Sequence, residues 1–70
     1  MPKRYSSKQI TRVLRQRGFN FVAQKGSHAK FRRTGTTTLT VIVPMNRKEI
    51  PFGTFRSIIR QAQLNENDFE

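Results

Sequence analysis

The spacing of apolar positions changes twice along these 70 residues, from helical to alternating and back again. Ile10, Val13 and Leu14 recur at i, i+3 and i+4, the narrow stripe of one helix face. Ser6 or Ser7 offers the N-cap, a hydroxyl that accepts a bond from a free N–H of the first turn. Gly18 supplies the stop, with Arg15 and Arg17 set against the negative end of the helix dipole. Lys8, Arg12 and Arg15 fall away from the stripe, where they either touch phosphates or form a solvated face, the second being the better reading for any one of them.

The period then drops to two. Phe19, Phe21 and Ala23 alternate with Asn20, Val22 and Gln24, predicting a first strand with an aromatic inner face. Gly26-Ser27 supplies a turn. Beyond it Ala29 and Phe31 face one way, while His28, Lys30 and Arg32 face the other. Thr34-Gly35-Thr36 reads as a hairpin turn into a β-branched run from Thr37 to Val43, with Leu39, Val41 and Val43 on its inner face. Pro44, which has no N–H to give, ends that strand, and residues 45–51 read as a polar loop. Helical spacing returns after Pro51 with Phe52, Phe55, Ile58, Ile59 and Ala62. Leu64 anchors the helix end, Asn65 caps a last short turn, and Phe69 folds back on the core. The expected architecture is α+β in the order α-β-β-β-α, with both helices on one face of a three-stranded antiparallel sheet. No repeat or boundary divides residues 1–70, which are expected to form one domain.

Composition narrows the chemistry. The chain carries 14 Lys and Arg against 4 Asp and Glu, a net charge of +10. Twelve of those cations precede the first acid, Glu49, while Glu66, Asp68 and Glu70 crowd the C-terminus. A field of one sign attracts polyanions, so nucleic acid leads the partner classes. With no cysteine and a single histidine there is no disulfide and no set of ligands for a metal, and no cofactor is expected. A core this small leaves no deep, enclosed active site, which favours chemistry on an open surface and a polymer substrate. No apolar run approaches a membrane span and the basic N-terminus lacks a signal-peptide core, so a soluble cytoplasmic protein without membrane contact is expected.

The lone imidazole stands out. His28 leaves a turn on the exposed side of a strand beside Lys30 and Arg32, where RNA-cleaving chemistry would need a proton carrier near neutrality. The plainer reading makes it a solvated strand residue. Lys25, Lys30 and Arg32 are the candidates for holding RNA phosphate and steadying its developing charge. Ser27 reads as a turn residue within the same phosphate-binding group rather than as a nucleophile, since no second base or orienting acid accompanies it.

Several short marks together resemble one family. Gly18-Phe19 follows the first helix, Lys25-Gly26-Ser27-His28 makes the strand turn, and Val43-Pro44 closes the third strand. The last helix reads Gly53-Thr54-Phe55-Arg56-Ser57-Ile58-Ile59-Arg60-Gln61-Ala62. Over residues 7–69 the chain is similar to HicA-type (YcfA-like) toxins of prokaryotic toxin–antitoxin modules. That resemblance implies a double-stranded-RNA-binding-domain-like fold and a metal-independent ribonuclease that cleaves mRNA and arrests translation. It also implies His28 as the catalytic residue and a HicB-type antitoxin, acidic where it touches the toxin, as partner. Two positions depart from the family pattern. Asn46 stands where members often carry a second histidine, and Gln63 where a glycine is common. The rival class is a non-catalytic basic module that grips RNA or DNA, distinguished by salt-dependent binding without product.

Overall fold

The structure, a computed structural model, describes residues 4–70; Lys3, counted among the cations, lies outside them. Its elements are α1 (Ser7–Gln16), β1 (Asn20–Lys25), β2 (His28–Arg33), β3 (Leu39–Pro44), α2 (Phe52–Ala62) and a closing 3-10 turn, Glu66–Phe69. The three strands pair antiparallel in the order β1-β2-β3. Both helices lie on one face of this open sheet, the α+β arrangement that the periodicity predicts.

Local chemistry sets the helix ends. Ser6 caps α1 through a closed box: its Oγ accepts from the Gln9 N–H at 3.1 Å while Gln9 Oε1 accepts from the Ser6 N–H at 2.8 Å. Gly18 ends α1 at φ 92, with its N–H on the Arg15 carbonyl (3.1 Å) and the Phe19 N–H on that of Leu14 (2.9 Å). This pair of bonds is a Schellman motif, and it turns Phe19 straight into the core. At the end of α2 the same pair recurs, from Gln63 to Arg60 (3.2 Å) and from Leu64 to Ile59 (2.9 Å). There the left-handed position, φ 56, is held by Gln63, a residue with a Cβ.

One cluster of buried side chains joins Tyr5, Ile10, Leu14, Phe19, Phe31, Val41, Val43, Phe55, Ile58 and Phe69, among others. The buried stripe of α1 is Ser7, Ile10, Thr11 and Leu14, with Val13 only half-buried at its margin. Phe69 does fold back: its ring meets Phe55 edge-on at 5.1 Å and lies 6.0 Å from Tyr5. Burial, and then the carboxylates of Glu70 and Glu66, raise the Tyr5 phenol above its ordinary pKa.

Three expectations need correction. β1 has no buried aromatic face: Phe19 is buried ahead of the strand, and every residue from Asn20 to Lys25 is exposed. Both helices pack against β3, so β1, two strands away, lies beyond their cover. Phe21 consequently rests edge-on against Phe31 at 5.8 Å with 49 % of its surface exposed. A bulge at Val22 then breaks the alternation: Phe21 pairs with Phe31, but Ala23 pairs with Lys30 and so faces the opposite side. The third strand begins at Leu39 rather than Thr37, leaving residues 34–38 as the connection. The loop over residues 45–51 is not wholly polar either. Ile50 is buried and its N–H donates to the Tyr5 carbonyl at 2.8 Å.

The two helix ends yield a matched test. Gln63→Gly is expected to stabilise the fold by about 1 kcal/mol, because relief of left-handed strain outweighs the added freedom of the unfolded chain. Gly18→Ala is expected to destabilise it, since a Cβ there would also meet Arg33 Cδ at 3.3 Å. Urea denaturation of the two variants beside the parent checks both signs.

Candidate nucleic-acid interface

The sheet face turned away from the helices is built of three cross-strand rows. Register places Lys25, His28 and Pro44 in the first, Ala23, Lys30 and Ile42 in the second, and Asn20, Arg32 and Thr40 in the third. Neighbouring strands lie about 4.8 Å apart, and alternate residues of one strand about 6.7 Å apart. His28 therefore has a lysine directly across the hairpin and two further cations at successive steps along its own strand. The bulge at Val22 is what keeps Lys25 opposite His28 while Phe21 stays opposite Phe31.

His28 is exposed, and Lys30 and Arg32 are half-buried. Gly26, at φ 59, takes the first position of the two-residue turn, the position at which a hairpin of this kind calls for glycine. The Gln24 side-chain amide donates to the Gly26 carbonyl at 3.0 Å and ties the turn to β1. Ser27 fills the second position, and its carbonyl accepts the Met45 N–H at 2.6 Å. Lys25, Ser27, His28, Lys30 and Arg32 are thus gathered on one face and its adjoining turn. Among the described residues, no three metal-ligating side chains converge.

A second set of bonds fixes the neighbourhood of His28, and one residue makes them. The Ser7 hydroxyl, buried in the first turn of α1, donates to the Pro44 carbonyl at 2.7 Å and accepts the Arg47 N–H at 3.1 Å. Its backbone N–H donates to the Arg47 carbonyl at 3.0 Å. Ser7 thereby holds the chain leaving β3 against α1, while Met45 holds it against the 26–27 turn. Asn46 sits between these anchors at φ 61, a left-handed conformation that asparagine adopts more readily than most residues. Sequence reading weighed Ser7 only as an N-cap. Contacts 37 and 40 residues away leave no local signal.

A family model for the HicA toxin of bacterial toxin–antitoxin systems matches residues 7–64. The chain belongs to the HicA toxin family. The matched span holds α1, all three strands, α2 and every residue of the rows above. As the toxin of a toxin–antitoxin pair, this HicA protein has an antitoxin for its partner. No curated protein matches the chain at a significant level. None of the helices among its described residues is long and apolar enough to cross a membrane.

The Ser7 clamp is open to direct measurement. Ser7→Ala leaves the partly buried Pro44 carbonyl without its donor and the Arg47 N–H without its acceptor. The expected cost is about 1–3 kcal/mol, at about 4–8 °C of thermal midpoint per kcal/mol in a domain of this size. Hydrogen exchange at the Arg47 amide should quicken in step; an unchanged midpoint and exchange rate would show that the clamp carries no weight.

Proposed function

We propose that this HicA protein is a metal-independent endoribonuclease that cleaves mRNA in the cytoplasm, with His28 as its general acid–base. The observation that carries the reading is the placement of the sole histidine. It stands exposed on the uncovered sheet face, with Lys25 across the hairpin and Lys30 and Arg32 along the strand. A phosphodiester laid on this face meets a proton carrier and fixed positive charge together.

The chemistry follows from those groups. The imidazole takes the proton of a ribose 2′-OH, and the 2′-oxygen attacks the adjacent phosphorus. The P–O5′ bond breaks as the 2′-O–P bond forms, giving a 2′,3′-cyclic phosphate and a free 5′-hydroxyl. Lys25, Lys30 and Arg32 stabilise the charge that builds on the phosphoryl oxygens. The 5′-oxygen takes its proton from the imidazolium formed in the first half of the reaction or from water. Asn46 offers no ionisable group for that second transfer, so a modest rate is expected. Ser27 contributes its turn geometry and a hydroxyl within reach of phosphate.

The same face suits the antitoxin. A HicB-type partner that presents carboxylates to Lys25, Lys30 and Arg32 would cover His28 and silence it without touching the core.

The experiment is cleavage of a defined single-stranded RNA by purified protein with EDTA present, His28→Ala beside the wild type. The expected result is fragments ending in cyclic phosphate from the wild type alone, with the variant folded and still bound by its antitoxin. Equal cleavage by the variant would refute the role of His28. Salt-dependent binding without product from either protein would favour a non-catalytic binding module.

A further inference from the structure

Past the end of β3 lies a groove of about 460 Å³ between the first turn of α1 and the loop that follows the strand. Lys8, Arg47 and Lys48 line it with the Asn46 amide, and Met45 supplies an apolar wall. We propose that this groove is a second phosphate subsite, seating the phosphodiester next to the one cleaved on the same single strand of RNA. This inference rests on the ribonuclease reading of the sheet face and extends its substrate contacts.

Three observations converge on the groove. The first is position. Pro44 lies opposite His28, and Met45 is bonded to the carbonyl of Ser27, so the groove opens within two residues of the imidazole's own row. Two residues of chain span at most about 7 Å. An RNA strand running on past Pro44 would meet the groove at the neighbouring nucleotide.

The second is the way the cations divide. Arg17 pairs with Asp68 at 2.9 Å, and Arg4 meets Glu49, the one acid of the loop, at 3.8 Å. Arg33 lies over the Phe19 ring, Arg15 over Phe31 and Arg56 over Phe52, and Arg60 reaches the Ser57 hydroxyl. Among the described residues, Lys8, Arg47 and Lys48 have no such partner, and neither do Lys25, Lys30 and Arg32. Apart from Arg12 on the outer face of α1, the uncommitted cations all sit at the sheet face or this groove. Cations left without partners on two adjoining surfaces mark one continuous path for a polyanion.

The third is construction. The loop is held by three Ser7 bonds and one from Met45, so its cations project from a fixed backbone. A preorganised wall loses less entropy when it binds a flexible strand.

The test uses the full chain in a His28→Ala background, so that the RNA stays intact whatever His28 does. Affinity for a defined 12-nucleotide single-stranded RNA is measured across salt concentrations. Lys8→Ala/Lys48→Ala is compared with the charge-matched Arg56→Ala/Arg60→Ala on α2. The groove pair is expected to bind roughly tenfold more weakly, with a salt slope shallower by about 1.4, two contacts at about 0.7 each. The α2 pair should keep the parent slope, and thermal midpoints should show both pairs folded. Equal losses in the two pairs would mean that net charge alone acts, and a parent-like groove pair would mean that RNA does not enter; either overturns the subsite. Binding that tracks the groove while the unmodified protein fails to cleave would sink the ribonuclease reading and leave the subsite standing.

Discussion

A chain of this length covers one face of its sheet and leaves the other to water. Both helices spend their apolar stripes on the same side, against Val41 and Val43 of β3 and Phe31 of β2. Every other property follows from that one-sided burial. The alternation of each strand sends apolar residues inward and leaves the outward positions free to be charged. His28, Lys30 and Arg32 occupy three of those outward positions in succession on the central strand, where neighbours on both sides fix the backbone.

What the sequence made legible was whatever repeats locally. The stripes of α1 and α2, the alternation through β2 and β3, Gly18 as a stop and the return of Phe69 are all visible as spacing, and together they carry the element order. The exposure of His28 follows from the same arithmetic, since Phe31 is core and three residues apart along a strand means opposite faces. The missed features have long-range causes. Val22 looks like any β-branched strand residue, and only the partner strand reveals that it is the extra one in a bulge. Ile50 follows four polar residues and has no period to announce it. Ser7 looks like a capping serine, yet it acts on Pro44 and Arg47. Phe21 obeys the pattern and is still exposed, because alternation assigns a face without saying whether anything covers it.

The HicA family match spans the uncovered face on which the proposed chemistry is placed. Surface cations count for little in stability, so an excess of ten positive charges asks for a partner rather than a structural reason. The packed side of the molecule uses its arginines on aromatic rings, carbonyls and the Asp68 carboxylate. The open side leaves its lysines and arginines unspent. On the proposed ribonuclease reading, one surface would serve both an RNA strand and an antitoxin that competes with it, with no separate regulatory site.

The uncovered face and its adjoining loop are proposed as the RNA-binding surface. The most direct measurement is a map of backbone amide shifts in the ¹⁵N-labelled His28→Ala protein as a short single-stranded RNA is added. This placement predicts perturbations concentrated at residues 25–32 and 44–48, with the outer face of α2 around Arg56 and Arg60 unmoved. Shifts concentrated on α2 or along the outer face of α1, with residues 25–32 silent, would contradict it.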